Sequence, residues 1–177
     1  IKMNDMNQDQ LRAIKNASEL DGLSIEDRKT LTKMIDDLNV KNQTIKLFVD
    51  GAADLHSKTA GIGGVIYSNN KELSNFSEPL FDKTNNEAEY LALIKGVKKI
   101  IDLKFTNVII YADSELIVKQ VLGIYKVKNE RMKILHHHAL EKLKLIDHWN
   151  LVHIRREKNI RADELSKLGM SEAKSKK

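Results

Sequence analysis

Two short runs of the chain alternate between apolar and polar positions before they reach an aspartate. The first run, TIKLFVDG, contains Asp50, and the second, NVIIYADS, contains Asp113. Alternation with a period of two is typical of a β-strand with one buried face. Both aspartates are therefore predicted to lie at the ends of buried strands.

Strand patterns alternate with helical patterns along most of the remaining chain. This order predicts an α/β fold with a five-stranded mixed sheet flanked by helices, in which three antiparallel strands precede parallel strands joined through helices. The predicted strands are residues 44–51, 60–68, 71–78, 107–112 and 149–155, and the predicted helices are residues 86–101, 114–122, 129–146 and 160–168.

The glycine-rich segment AGIGGV lies within the second predicted strand. A dinucleotide-binding glycine motif would lead directly into a helix, whereas this segment continues as a strand. Gly63 and Gly64 are therefore predicted to allow a close backbone approach or a bulge.

The chain is predicted to divide into three parts. Residues 1–43 contain two segments with helical periodicity, QDQLRAIKNASEL and SIEDRKTLTKMIDDL, and Ser24 followed by Asp27 is typical of a helix cap. We expect a helical hairpin extension here, which serves packing or forms a homodimer. Residues 44–169 form the main α/β domain, and residues 170–177 form a basic disordered tail.

Charge and composition narrow the class of partner. The net charge is +5, and it divides into −1 for residues 1–43 and +6 for residues 44–177. A basic domain attracts phosphate-bearing partners. Cysteine is absent, which excludes disulfides and thiolate metal sites. No apolar run reaches the length of about 18 residues that a membrane span needs, so we expect a cytoplasmic protein without a membrane partner.

Four acidic residues lie in four separate local motifs, each at the end of a predicted strand or helix. Carboxylates held together near a core are unfavourable unless a cation neutralises them. Magnesium prefers such oxygen ligands and is usually held together with substrate phosphates. The sequence therefore predicts a magnesium site and a phosphate-bearing substrate, with the residues Asp50, Glu89, Asp113 and Asp163 as ligands.

Four strings in the chain together resemble the type 1 ribonuclease H family: VDGAAD, TNNEAEYLAL, YADSELIVKQVLGIYKVKN and NIRADELS. They occur in the order that the family has and span residues 44–169. The resemblance implies the ribonuclease H-like fold and hydrolysis of the RNA strand of RNA/DNA hybrids, leaving 5′-phosphate and 3′-hydroxyl ends. It also implies two Mg²⁺ ions, about 3.5–4 Å apart, with Mn²⁺ as an alternative ion.

The resemblance also implies a role for each of the four carboxylates. Asp50 would bridge both ions, Glu89 and Asp113 would hold the ion near the leaving group, and Asp163 would help to hold the ion of the nucleophile. Glu87 is chemically equivalent to Glu89, but residues two apart point to nearly opposite sides of a helix, and the family motif selects Glu89. The same argument prefers Asp113 to Glu115, and Asp163 to Glu164.

The expected substrate contacts follow from the same motifs. Asn85 and Asn86 would read the minor groove of the hybrid, where 2′-hydroxyls mark the RNA strand, although one Asn could instead cap a helix. Thr84 would hold a phosphate of the DNA strand, and the backbone at Gly51 and Ala52 would contact ribose hydroxyls. The remaining expected contacts are Ser114, Arg156 and Asn159.

Some segments depart from the family pattern. Glu115 occupies a position where relatives often have glutamine, and the loop IRREKN lacks the histidine that many members have, so Arg156 would stabilise a phosphate instead. The basic insertion of some members is absent; four nearby basic residues would replace it or belong to a solvated helix start. They are Lys126, Lys128, Arg131 and Lys133.

These departures keep a second function open. The chain could be a catalytically weak or inactive ribonuclease H-like module that binds nucleic acid or a protein. The run His136–His138 does not have the spacing of metal ligands on a helix, and Trp149 is expected in the core. We therefore assign structural roles to both.

Overall fold

A computed structural model describes residues 8–42 and 45–176 of the chain. The chain divides into two compact units, residues 1–43 and residues 44–177. The division falls at the predicted end of the helical extension. Each of the three predicted parts includes residues outside the described ranges, namely residues 1–7, 43, 44 and 177.

The first unit contains two helices, α1 (Gln8–Ser18) and α2 (Ile25–Asn42). The backbone N–H of Asp27 donates to Ser24 Oγ at 3.0 Å, as the predicted cap requires. Arg28 donates to the carbonyl oxygens of Ser18 and Leu20, both at 3.0 Å, at the end of α1. These bonds satisfy carbonyls that a helix end leaves without partners, and they fix the turn between the two helices.

The second unit is built on one five-stranded sheet with the order β3-β2-β1-β4-β5. β1 pairs antiparallel with β2, β2 pairs antiparallel with β3, and β4 runs parallel to both β1 and β5. The predicted mixed sheet is therefore confirmed. The strands are β1 (Ile45–Asp54), β2 (Thr59–Ser68), β3 (Lys71–Phe81), β4 (Asn107–Ala112) and β5 (His148–His153).

Helices cover both faces of this sheet. They are α3 (Asn85–Asp102), α4 (Glu115–Val121), α5 (Glu130–Leu143) and α6 (Ile160–Ser175), with a short 3₁₀ turn at Arg156–Lys158. α3 packs on the face that carries Leu47 and Val49, and α5 packs on α3. α6 packs on β1, β2 and β3 from the opposite face. Because side chains alternate along β1, Phe48 and Asp50 lie on the α6 face.

The glycine-rich segment in β2 brings α6 unusually close to the sheet. A Cβ added to Gly63 would lie 2.2 Å from the backbone nitrogen of Ser166, and one added to Gly61 would lie 2.1 Å from that of Met170. A Cβ at Gly64 would instead meet the Phe76 ring at 2.4 Å. The predicted close approach is therefore confirmed, and the approaching backbone at Gly63 is that of α6.

The prediction of a disordered tail is wrong for most of its length. α6 continues to Ser175, and Ala173 is fully buried. Lys174 pairs with Asp54 at 2.8 Å. A single small apolar residue anchors this last turn, and such an anchor is easily overlooked in a polar segment. None of the helices in the described ranges is long and apolar enough to cross a membrane.

Candidate active site

Asp50 lies within β1, opposite Gly63 on β2, and is only 3% exposed. Ser166 on α6 donates a hydrogen bond from its hydroxyl to Asp50 Oδ2. The absence of a side chain at Gly63 lets α6 approach closely enough for this bond. Asp50 is thus a buried carboxylate fixed between the sheet and α6.

Glu89 reaches the same place from α3, on the other side of the sheet. A Cβ added to Gly51 would lie 2.3 Å from the backbone nitrogen of Glu89, so α3 can pack here only against a glycine. Glu87 is used differently, because its Oε2 accepts hydrogen bonds from the backbone N–H and hydroxyl of Thr84 at 2.9 and 2.8 Å. The structure therefore directs Glu89, and not Glu87, toward Asp50.

Asp113 follows β4 directly and completes a group of three carboxylates. Asp50, Glu89 and Asp113 each contribute one oxygen, and these three oxygens all lie within 4.8 Å of one another. We call these three residues the carboxylate triad. They come from a strand, a helix and the residue after a second strand, so the tertiary fold brings them together.

The triad is electrostatically unfavourable without a cation. Burial is the largest cause that raises the pKa of Asp50 to about 7, and the charges of Asp113 and Asp163 add to it, although the Ser166 bond acts in the opposite direction. Burial, followed by the charges of Asp50 and Asp113, raises the pKa of Glu89 to about 9. Clustered hard oxygen donors of this kind fit a divalent ion such as Mg²⁺.

Asp163 lies in the first turn of α6 and has a different environment. Its Oδ1 accepts hydrogen bonds from the Arg156 guanidinium, with the Nε donor at 3.1 Å, and its Oδ2 accepts one from Lys167 at 2.6 Å. Burial would raise the pKa of Asp163, but the bonds from Lys167 and Arg156 outweigh it and hold the pKa below its usual value. The fourth predicted ligand therefore lies beside the triad, paired with two basic side chains. We call the triad together with Asp163 the acidic cluster.

The acidic neighbours that the sequence analysis set aside have other partners. Glu115 pairs with Lys119 at 2.6 Å, one turn along α4. Glu164 pairs with Arg161 at 3.2 Å on α6. Both glutamates are exposed, so neither belongs to the acidic cluster.

The expected groove contacts lie at the N-terminal end of α3. Thr84 is the N-cap, and its hydroxyl accepts the backbone N–H of Glu87 at 3.3 Å. Asn85 and Asn86 occupy the exposed first turn. Thr84, and neither Asn, therefore caps this helix, and Asn85 and Asn86 are both exposed on the first turn of the helix that also carries Glu89.

The other expected contacts surround the acidic cluster. Gly51 and Ala52 continue β1 after Asp50, and Ser114 is the N-cap residue of α4, directly after Asp113. Asn159 is 1% exposed and donates from Nδ2 to the carbonyl oxygen of Val49 at 2.9 Å. Its position thus ties the start of α6 to β1.

Ser166 and Lys167 were missed by the sequence analysis. They follow Asp163 by three and four residues, so they lie on the same face of α6. That spacing was the available signal for Lys167. The bond from Ser166 to Asp50 crosses 116 positions of the chain, and no local pattern predicts it.

The fold and the acidic cluster together define a protein of the ribonuclease H-like class. A family model described as reverse transcriptase-like matches residues 48–169. Ribonuclease HI of Halobacterium salinarum is 28% identical over 130 residues, which cover 73% of this chain and 65% of that protein. The uncharacterized protein YpeP of Bacillus subtilis is 32% identical over 150 residues, which cover 78% of this chain and 64% of that protein. The chain thus spans less than two thirds of the length of either relative.

Solved structures give the same result. RNase H1 from Halobacterium salinarum NRC-1 has a TM-score of 0.70 and 28% identity, and the match covers 73% of this chain and 99% of that one. LC11-RNase H1 was isolated from compost and solved in complex with an RNA/DNA hybrid. It has a TM-score of 0.68 and 36% identity, and the match covers 73% of this chain and 98% of that one. The chain belongs to the type 1 ribonuclease H family.

Proposed function

We propose that the chain is an endonuclease that hydrolyses the RNA strand of RNA/DNA hybrids and leaves 5′-phosphate and 3′-hydroxyl ends. The observation that carries this proposal is the carboxylate triad, whose ligand oxygens lie within 4.8 Å of one another. Support also comes from LC11-RNase H1, a relative solved with an RNA/DNA hybrid.

The donor set of the triad fits Mg²⁺, with Mn²⁺ as an alternative ion. It consists of carboxylate oxygens in a partly buried place, where a cation offsets the mutual repulsion of the acids. When two such ions are bound, they supply an activated water and stabilise the charge on the leaving oxygen.

Each acidic residue would have its own part in holding these ions. Asp50 lies centrally between the two helical layers and would hold both. Glu89 and Asp113 would hold the ion on the leaving-group side. Asp163 would hold the ion of the nucleophile, after exchange of its bonds with Arg156 and Lys167.

Arg156 and Lys167 have room to move away, because their side chains are 66% and 55% exposed, while that of Asp163 is 14% exposed. A bound cation would then compensate the charge of Asp163 in their place. Once released from Asp163, the Arg156 guanidinium is placed to bind a phosphate of the substrate. This role replaces that of the histidine that the loop lacks.

Recognition of the hybrid would use the end of α3 and the strand beside it. Exposed amides at Asn85 and Asn86 suit the shallow minor groove, where riboses and base edges are accessible. Thr84 would bind a phosphate of the DNA strand, and the backbone of Gly51 and Ala52 would contact ribose hydroxyls. Ser114 and Asn159 would support the substrate next to Asp113 and Asp163.

The proposal is tested by cleavage of an end-labelled RNA/DNA hybrid with Mg²⁺ or Mn²⁺, with duplex RNA and duplex DNA as controls. We expect the native chain to cut only the RNA of the hybrid. Asp113→Asn removes a ligand, and because even outer-shell changes cost about 10–100-fold, we expect a loss greater than about 100-fold. Glu164→Gln is the matched control, because this carboxylate lies next to Asp163 but pairs with Arg161, and it should leave cleavage unchanged.

A folded native chain that cuts no hybrid with either ion would contradict the proposal. The alternative of a weak or inactive binding module would then apply. Retention of hybrid binding in a gel-shift assay, without any cleavage, is the result that identifies that alternative.

A further inference from the structure

A second concave site lies on the α6 face of the sheet, beyond the acidic residues. It has a volume of about 360 Å³ and its lining contains three basic residues and no acidic residue. We call it the Tyr67 pocket. It is lined by Lys46, Phe48, Val65, Tyr67, Asn70 and the start of α6 from Lys158 to Ala162. Its size lies within the range of small-molecule sites, which is about 300–1,000 Å³.

Aromatic rings form the floor of this pocket. Phe48 stacks on Tyr111 with ring centroids 4.6 Å apart, and it meets Tyr67 edge-on at 5.7 Å. All three residues are only half-buried, because α6 begins beside Val65 and leaves this part of the sheet uncovered. Half-exposed rings on a sheet are the surface on which a nucleobase stacks.

The rim of the pocket carries positive charge that is not fully compensated. Lys46 donates from Nζ to the neutral amide oxygen of Asn70 at 3.1 Å, and Lys158 is exposed. Arg161 differs, because it is bonded to Glu72 and Glu164. Lys46 and Lys158 are therefore the cations available to an anionic group in the pocket.

We propose that the Tyr67 pocket binds a single nucleotide unit. The base packs against Tyr67 and Phe48, and the phosphate pairs with Lys46 and Lys158. A free nucleotide and the terminal unit of a single strand present the same groups. This binding requires neither the carboxylate triad nor cleavage. The nucleotide-binding proposal is therefore independent of the proposed nuclease activity.

The test is a titration of the full chain with adenosine 5′-monophosphate, followed by ¹⁵N NMR in EDTA so that no divalent ion is present. We expect chemical-shift changes at Tyr67, Asn70 and Ile160, which all line the pocket. Adenosine and ribose 5-phosphate each lack one of the two recognised groups, so both should bind at least about fivefold more weakly. A five-nucleotide single-stranded RNA, titrated in parallel, separates a strand end from a free nucleotide.

Variants locate the binding. Tyr67→Leu keeps an apolar side chain and should weaken binding at least about fivefold, since stacking on an aromatic ring contributes about 1–3 kcal/mol. The double variant Lys46→Glu, Lys158→Glu removes the phosphate contacts and should abolish binding. Lys98→Glu, an exposed change on α3, is the control and should leave binding unchanged.

The proposal is wrong if neither the nucleotide nor the RNA shifts these resonances. It is also wrong if both pocket variants, shown to be folded by their NMR spectra, bind as the native chain does. Binding that persists in Asp113→Asn supports a site separate from the acidic cluster.

Discussion

Glu89 and Asp163 approach Asp50 from opposite layers of the fold, and different forces hold them. Glu89 is positioned by backbone packing, because α3 lies against Gly51 where a Cβ would be 2.3 Å from its backbone. Asp163 is positioned by hydrogen bonds from the exposed side chains of Arg156 and Lys167. One side of the site is therefore rigid, and the other can exchange partners when ions and substrate bind.

The largest expected effect is on stability and cleavage, and it follows from a change at Gly51, on the rigid side of the site. Gly51→Ala forces α3 away from β1, since the added atom meets backbone and no flexible side chain. We expect a loss of about 3 kcal/mol or more in the free energy of unfolding, together with loss of hybrid cleavage because Glu89 moves. Urea denaturation and the cleavage assay measure the two effects.

Gly96→Ala is the matched change on α3, the helix that packs against Gly51. Its added atom would meet side-chain carbons of Leu47 and Val49 at 2.9 Å, which can shift, and alanine favours the helix by about 1 kcal/mol. We expect a much smaller loss of stability. Equal losses in the two variants would contradict the rigid packing proposed for Glu89.

The second effect is the pH dependence of the metal-free protein. The pKa of Glu89 is raised to about 9 in the folded state by burial and then by its acidic neighbours, against about 4.3 in an unfolded chain. Its contribution to stability is therefore complete below about pH 4 and is lost as the pH rises toward 9. Glu89→Gln removes this dependence and should be more stable than the native chain at pH 9, by a few kcal/mol, on the order given by such shifts.

Urea denaturation in EDTA at pH 5, 7 and 9 measures this difference. Glu87→Gln provides the contrast: the bonds from Thr84 outweigh burial and lower the pKa of Glu87, so this variant should lose stability at pH 7. A native chain whose stability is flat from pH 5 to 9 would show that Glu89 is not a buried member of the acidic cluster.

A smaller effect is expected at the cap of α3. Thr84→Ala removes the two hydrogen bonds of the Thr84 hydroxyl with Glu87 and keeps the one from the backbone N–H. It should cost about 1 kcal/mol, the usual value for an N-cap. Asn85→Ala changes an exposed side chain and should stay within about 0.5 kcal/mol. Thermal unfolding compares the two, and an equal loss at Asn85 would contradict the assignment of Thr84 as the cap.

The smallest effect on stability is expected at Asp163, on the side of the site that can exchange partners. Lys167→Met removes an ion pair in which the lysine is 55% and Asp163 is 14% exposed. Because Arg156 still donates to Asp163, the cost should be about 1 kcal/mol. Because it also removes a positive charge beside the cluster, we expect divalent ions to bind severalfold more tightly, by about 1 kcal/mol or less. Calorimetric titration with Mn²⁺ measures this change.

Lys176→Met, at the C-cap of the same helix, is the control. Lys176 pairs with Glu172 at the same spacing of four residues, away from the acidic cluster. Its loss should have the same small effect on stability and none on metal affinity. Equal metal affinity in both variants would show that Lys167 does not influence the ion site.

Local patterns in the sequence were sufficient for the sheet and for the choice among neighbouring acids. Alternation in TIKLFVDG and NVIIYADS predicts the strands β1 and β4, and Asp113 directly follows β4 as expected. The prediction that Asp50 ends its strand is wrong, because β1 continues to Asp54 along its pairing with β2. The helical period separates Glu89 from Glu87, which the structure uses as a capping residue. These features depend on contacts within one element, and a sequence displays them directly.

Features that depend on contacts between distant elements could not be predicted. The Ser166 bond to Asp50 and the aromatic floor of the Tyr67 pocket each join segments far apart in the chain. The buried anchor at Ala173 is visible only once α6 is placed on the sheet. A homodimer through residues 1–43 stays a prediction, as do the individual substrate contacts.

Anomalous diffraction from crystals soaked in Mn²⁺ tests most directly whether the carboxylate triad holds divalent ions. We expect a manganese peak in contact with Asp50, Glu89 and Asp113, and a second peak between Asp50 and Asp163 after Arg156 has moved. A well-ordered crystal with no peak at these residues, at Mn²⁺ concentrations that saturate thermal stabilisation, would contradict this expectation.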